Sequence, residues 1–412
     1  MNVDVDFNLD QTMRGDSVDA FFALLRAGLF PVHGEGFKVN DSLFREVDWN
    51  EVYQLAQEQS VLGLVLAGLE QYKNLNANLN LNQIVLLQWI GEVQLLEQRN
   101  KAMNQFIAEL IEEMRSQGIY TLLVKGQGLA QCYNRPNWRS SGDVDLLLSK
   151  DNYEKAKAFI LPKGVLTEPE EAGKKHLAMQ VGQWAVELHG TLRVGLSKRV
   201  DRMLDKVQHD IFYGGQVRSV ALDVNDNLND NGTTKSFKSV QIFLPAENED
   251  VVYVFAHILQ HFYKGGIGLR QICDWCRLLY TYRDSLNYGL LESRIKSAGL
   301  TSEWRAFYNL ASRYLGMPDL GSGLMVHDSR FDKKADKICE FILKSGNMGH
   351  NRGSWLMEHD SWLSRQYVVK KAFSMFRRIG DLINHARIFP MDSLRFFPYM
   401  MFNGLRSAMR GE

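Results

Sequence analysis

Arg139-Ser140-Ser141-Gly142-Asp143-Val144-Asp145-Leu146-Leu147-Leu148 is the stretch on which the fold turns. Two carboxylates two residues apart run straight into an apolar segment of β type. Successive side chains on a strand point to opposite faces, so Asp143 and Asp145 share one face. Side by side, two anionic groups repel each other unless a cation lies between them. A hard divalent ion with oxygen ligands suits such a pair, Mg²⁺ above all, with Mn²⁺ as an alternative. The plain alternative is the start of a strand with one turn aspartate and one solvated aspartate.

The upstream context favours the metal. Ile119 to Lys125 reads I-Y-T-L-L-V-K, a short buried strand. Lys125-Gly126-Gln127-Gly128 follows, and then Leu129 to Tyr133 at helical spacing. A strand, a glycine turn and a helix start bring backbone N–H groups and a lysine to where a phosphate can lie. An ordinary β–α turn also favours glycine. The order of strand, glycine turn, helix and acidic strand is what separates the two.

In that order the chain resembles the nucleotidyltransferase superfamily with the DNA polymerase β-like fold. Within it, the likeness is to the group called uncharacterised nucleotidyltransferases, whose motif looks like K-G…R-x-x-x-D-hydrophobic-D. Here the motif is Lys125-Gly126, then Arg139, then Asp143-Val144-Asp145. The superfamily usually carries Gly-Ser in the turn. This chain has Gly126-Gln127 and lacks the hydroxyl that often touches a phosphate. The resemblance spans most of Gly118 to Asp274. It implies an α+β fold, a small mixed sheet of nucleotidyltransferase type with helical regions on both sides in sequence. It also implies transfer of a nucleoside monophosphate from an NTP to an acceptor hydroxyl, with pyrophosphate released.

A third carboxylate is expected with that chemistry. Gly182 to Gly190 reads G-Q-W-A-V-E-L-H-G, a strand on which Glu187 and His189 share one face. The resembling group has an acidic-Leu-His step, matched by Glu187-Leu188-His189, which implies Glu187 as the third metal ligand. His189 is expected to orient Glu187 or touch substrate, since Mg²⁺ prefers oxygen. Gly265 to Asp274 forms a glycine bend opening a helix with Arg270 and Asp274 at i and i+4. The two can pair with each other. A similar Leu-Arg-to-Asp region in the resembling group implies that the helix faces the site and that Arg270 touches a phosphate. The resemblance implies two-metal catalysis, with Asp143 and Asp145 holding both ions and Glu187 binding the one that activates the acceptor oxygen, so the expected catalytic and metal set is Asp143, Asp145 and Glu187. The expected nucleotide contacts are Lys125, Gly126, Gln127, Arg139, His189 and Arg270.

The remainder of the chain reads as helical scaffold. Ser17 to Gly28, Asp48 to Tyr72 and Asn82 to Gln117 carry apolar residues at three- and four-residue steps. Val217 to Val224 and Phe237 to Leu244 read as two short strands, with Asn225 to Gly232 as a polar hairpin loop that lacks the EF-hand spacing. From Pro245 the pattern is helical again. Expected domains are a helical region over 1–97, the nucleotidyltransferase-like domain over 98–245 and a second helical region over 246–412. His257 and His261 stand four apart with no soft third ligand nearby, and Cys273-x-x-Cys276 has no second pair, so neither reads as a zinc site.

Composition bounds the function. Lys plus Arg and Asp plus Glu both number 48, so no uniform basic surface grips nucleic acid. The tail from Ser361 is locally basic, which suits RNA or an acidic surface, or a protein or tRNA acceptor. Its aromatic spacing points to core packing instead, and nucleic acid is not favoured. Four cysteines fit a reducing cytoplasm and not a disulfide framework. No apolar run approaches the ~20 residues of a membrane span. A non-catalytic nucleotide-binding or interaction protein on the same fold is the alternative function, and the Gly126-Gln127 turn is the feature that supports it.

Overall fold

The computed structural model describes residues 16–30, 41–74, 79, 81–167, 170, 175–225, 237–264, 266–321, 323–346 and 385–409. Four helices come first: Asp16–Leu29 (α1), Trp49–Glu58 (α2), Leu62–Asn74 (α3) and Gln83–Ser116 (α4). The expected helical region from Asp48 to Tyr72 is two helices broken at Gln59 to Val61, where Ser60 takes φ 55°. The side chain of Asn82 caps α4 by accepting from the Ile84 N–H at 2.8 Å. α4 runs unbroken through residue 97, where the sequence suggests a boundary.

A five-stranded sheet follows, built from Thr121–Val124 (β1), Asp143–Leu148 (β2), Val165–Leu166 (β3), His176–Val181 (β4) and Trp184–His189 (β5). Its order is β1-β2-β5-β4-β3. β2 pairs antiparallel with β1 and parallel with β5, and the remaining pairings are antiparallel, so the sheet is mixed. A short helix, Gly126–Ala130 (α5), lies between β1 and β2. Lys150–Ile160 (α6) crosses from β2 toward the far edge. After Lys198–Tyr213 (α7), the strands Val217–Asn225 (β6) and Phe237–Pro245 (β7) form a separate antiparallel hairpin. Residues 226–236 between them, including most of the polar loop, lie outside the described residues.

The rest is helical: Glu247–Lys264 (α8), Leu269–Thr281 (α9), Tyr288–Ala298 (α10), Thr301–Leu315 (α11), Asp332–Ser345 (α12) and Pro390–Met409 (α13). Of the basic tail, Arg365, Lys370, Lys371, Arg377, Arg378 and Arg410 lie outside the described residues. Phe396 of α13 is buried against Tyr263, whereas Phe402 is exposed, and Phe373 and Phe376 lie outside the described residues. Glu303 of α11 is fully buried in this region, and Arg395 Nη2 approaches its Oε1 only to 4.0 Å.

The two-residue period of the strands divides the interior. Leu123, Val144, Leu146, Leu177, Met179, Val186 and Leu188 join one cluster with Met103, Ile107 and Ile111 of α4 and Tyr153 and Ile160 of α6. Leu122, Val124 and Leu147, on the opposite face, join a larger cluster with α1 to α3 and the C-terminal helices. Asp143, Asp145, Glu187 and His189 alternate with the first set, so they share the second face.

Candidate active site

Strand register assembles the site. Asp145 is the direct partner of Glu187 across the parallel β2–β5 pair, and Val124 at the end of β1 is the partner of Asp145 on the other side. His189 of β5 lies opposite Leu147 on β2 and opposite His176 on β4. One carboxylate oxygen from each of Asp143, Asp145 and Glu187 falls within 4.8 Å of the others. Trans oxygens around Mg²⁺ are about 4.2 Å apart, given Mg–O distances near 2.1 Å. The three residues therefore match a hard divalent ion in donor type, and their oxygens lie near the span of such an ion's ligands.

Lys125 supplies a cation inside the cluster. It sits at φ 56°, a backbone region unusual for any residue but glycine, and Gly126 follows at φ 40°. A Cβ on Gly126 would lie 3.3 Å from the Asp143 carbonyl oxygen, so the turn packs directly on β2. The sharp turn directs Lys125 Nζ to Asp145 Oδ1 at 2.7 Å. His189 Nε2 reaches the same oxygen at 2.7 Å and Glu187 Oε2 at 3.3 Å.

This arrangement separates the two aspartates electrically. Asp143 is pushed above the usual carboxylate range, first by the charge of Asp145 and then by burial. Burial also works against the charge on Asp145, but Lys125 and the His189 hydrogen bond outweigh it and hold that carboxyl low. Glu187 is held low in the same way, with hydrogen bonds from His176 and His189 overcoming its burial. Burial disfavours the charged form of Lys125, and Asp145 more than reverses this. His189 is likewise raised against its burial by Asp145 and Glu187.

α9 holds the approach to β2. Arg139 lies in a buried two-pronged pair with Asp274, Nε to Oδ1 and Nη2 to Oδ2, both at 2.7 Å. Tyr133 donates to Asp274 Oδ1 at 2.8 Å. Arg277 donates to the Cys132 carbonyl at 2.8 Å and Arg270 to the Ser140 carbonyl at 2.9 Å. Arg270, Asp274 and Arg277 lie at i, i+4 and i+7, so one helical stripe fastens residues 132 to 140. From α4, Asn100 donates to the Asn137 and Arg139 carbonyls at 2.8 and 2.7 Å, and Arg99 to the Ser141 carbonyl at 3.0 Å.

Several expected contacts look different in the structure. Asp274 pairs with Arg139, not with Arg270, because the bidentate fork comes from the loop and not from the neighbouring turn. Arg139 is thereby committed to α9, while Asp143 is near enough to favour its charge. The side chain of Gln127 is buried and donates to Asn100 Oδ1 at 3.0 Å, so it faces α4. Lys125 is engaged by Asp145. Arg270 is near enough to Asp143 to favour that carboxylate's charge, and its buried Nε has no hydrogen-bond partner among the described residues.

Some neighbours of the site were not expected there. His176 Nε2 lies 3.1 Å from Glu187 Oε2. Its place follows from the hairpin turn at Gly182-Gln183, which sets Val181 opposite Trp184 and so His176 opposite His189. Counting back from that turn finds it. Tyr253, His257 and His261 of α8 also face this side, and all three feel the charge of Lys125. Burial and then Lys125 push His261 down to about 4, and His257 is lowered for the same reasons. The two rings touch through their Nε2 atoms at 3.0 Å.

Among the described residues no helix is long and apolar enough to cross a membrane. Comparison with curated proteins and with solved structures finds no match for this chain. A family model described as "Uncharacterised nucleotidyltransferase" matches residues 45–316, which take in the sheet, the three carboxylates and the α9 stripe. With roughly two thirds of its length matched, the chain belongs to the uncharacterised nucleotidyltransferase family.

Proposed function

We propose that this protein is a Mg²⁺-dependent nucleotidyltransferase, with Mn²⁺ as an alternative ion, moving an NMP from an NTP to an acceptor hydroxyl. The observation that carries the proposal is the convergence of Asp143, Asp145 and Glu187 within 4.8 Å on one sheet face. The acceptor oxygen forms a bond to the α-phosphorus, the bond to pyrophosphate breaks, and the acceptor proton passes to solvent water. The bound divalent ion supplies charge neutralisation on the triphosphate and makes the acceptor hydroxyl more acidic. Asp143, Asp145 and Glu187 hold that ion, and Arg270 presents its unpartnered Nε to a phosphate oxygen. His189 keeps Asp145 and Glu187 in register through its shared Nε2. Arg139 acts indirectly, by fixing the chain that leads into Asp143.

One observation favours the non-catalytic alternative. Lys125 and His189 already satisfy Asp145 Oδ1, as they would in a site that never receives a metal. For the enzyme, Lys125 must leave that oxygen when the ion and triphosphate arrive, and it then has the triphosphate to pair with. A panel of NTPs, ATP included, decides between the two in a thermal-shift experiment with and without Mg²⁺. The enzyme gives a midpoint that rises only when Mg²⁺ and NTP are both present. Asp143→Asn is expected to lose that rise and to lower transfer by on the order of a hundredfold or more. If no NTP shifts the wild type and the variant behaves alike, the carboxylates are structural.

A further inference from the structure

On β4 and β5 the chain places a second set of donors beside the carboxylate cluster. His176 and His189 are direct cross-strand partners, and their rings lie 4.9 Å apart between centroids. Both direct Nε2 at one oxygen, Glu187 Oε2, at 3.1 and 3.3 Å. A ligand atom from each of the three lies within 4.8 Å of the others. Two imidazoles and a carboxylate are a poor set for Mg²⁺, which takes oxygen, but a good one for borderline late divalent ions. Zinc bound at 2.0–2.1 Å by nitrogen or oxygen separates neighbouring tetrahedral ligands by about 3.4 Å. The two His–Glu separations are already close to that spacing. His176 is the solvent side of the trio, with 36% of its side chain exposed against 12% for His189 and 29% for Glu187. An ion therefore has access to the trio from the His176 side.

We propose that His176, Glu187 and His189 form a distinct binding site for Zn²⁺ or a similar late first-row divalent cation, adjoining the Asp143/Asp145 centre. Three protein ligands leave the fourth position of a tetrahedral ion open. Glu187 belongs to both ligand sets. On the nucleotidyltransferase reading above, an ion held by the two histidines draws Glu187 away from the Mg²⁺ centre, so Zn²⁺ acts there as an inhibitor. His176 alone belongs only to the histidine set among these ligands, and this makes the two sites separable.

The test uses Co²⁺ as the probe on full-length protein stripped of metal, following the visible absorption of four- or five-coordinate cobalt. The wild type is expected to take up one equivalent with such a spectrum. His176→Gln is expected to bind at least about 10- to 100-fold more weakly, as even loss of a group supporting a metal ligand has effects of that size. Asp143→Asn should bind as the wild type does. Zn²⁺ should displace Co²⁺, and millimolar Mg²⁺ should not. Circular dichroism and thermal midpoint check that each variant is folded, and His176→Asn serves if the glutamine variant is not. Absence of the spectrum in wild type, or equal uptake by wild type and the histidine variant, overturns the site. A missing Mg²⁺–NTP shift together with His176-dependent cobalt binding overturns the enzyme reading and leaves this site standing. In the enzyme, one equivalent of Zn²⁺ should suppress the Mg²⁺–NTP shift of wild type but not of His176→Gln. Equal suppression in both removes the inhibitory role.

Discussion

Asp145 on β2 and Glu303 on α11 are both buried carboxylates, and their surroundings drive them in opposite directions. Asp145 is 1% exposed and Glu303 fully buried. Asp145 has Lys125 Nζ and His189 Nε2 each at 2.7 Å and stays ionised below the usual range. The nearest cation to Glu303 is Arg395 at 4.0 Å, and Arg395 also pairs with Asp392 at 3.2 Å. Burial, with Asp392 adding to it, pushes Glu303 up to about 8. Burial alone therefore does not set the charge of a carboxyl group. For this pair the difference is the two cationic groups within hydrogen-bond reach of Asp145, and of the two sites the one on β2 keeps negative charge available for a divalent ion.

The strongest way to break this contrast is to remove the cation. Lys125→Met leaves Asp145 buried with half its compensation, and the loss of one partner of a buried pair typically costs about 3–5 kcal/mol. Chemical denaturation should show a drop of that order. A change within about 0.5 kcal/mol would mean that His189 alone sustains the charge. The reverse intervention is Glu303→Gln. A carboxyl raised in the folded state stabilises fully below its unfolded value of 4.5, and that contribution is lost as pH climbs toward about 8. Wild-type stability should thus decline across that window from this group. The amide variant should flatten the decline and be more stable at pH 8, by on the order of a few kcal/mol at most. An unchanged pH slope would show that Glu303 is ionised in the native protein. The smallest effect is expected at Asp143. Its charge is opposed first by Asp145, so Asp143→Asn should leave stability unchanged or raise it by less than about 1 kcal/mol near pH 7. A loss above about 1 kcal/mol in the melting analysis would assign Asp143 a structural pairing.

These contrasts also mark what could be read from residues alone. The strand period puts Asp143 with Asp145 and Glu187 with His189, and the structure places all four on one face. The helical scaffold and the mixed sheet follow from periodicity and from the likeness to the family. Side-chain partners chosen by tertiary packing were not legible. Arg270 and Asp274 have the spacing of a local helical pair, yet a bidentate fork from Arg139, distant in sequence, wins Asp274. The left-handed turn at Lys125 carries no sequence signal, because the residue is not glycine, and that turn sends Lys125 to Asp145. Repulsion between the aspartates was expected, but the pattern does not say which of them is compensated. Only the β1–β2 geometry shows that Asp143 carries the strain.

The Arg139–Asp274 fork has a consequence for the order in which the molecule comes together. Its two residues are 135 positions apart in the chain. β2 and β5 pair across about forty residues, a much shorter loop to close. The sheet can therefore form while the segment ahead of Asp143 is held by α4 alone, through Asn100 and Arg99, and the second set of anchors is added only once α9 has been made and docked. Contacts this remote in sequence are slow to form. The acidic centre should mature after the scaffold beneath it, so a chain that has completed its sheet holds Asp145 and Glu187 in register before α9 completes the fastening of the path into Asp143.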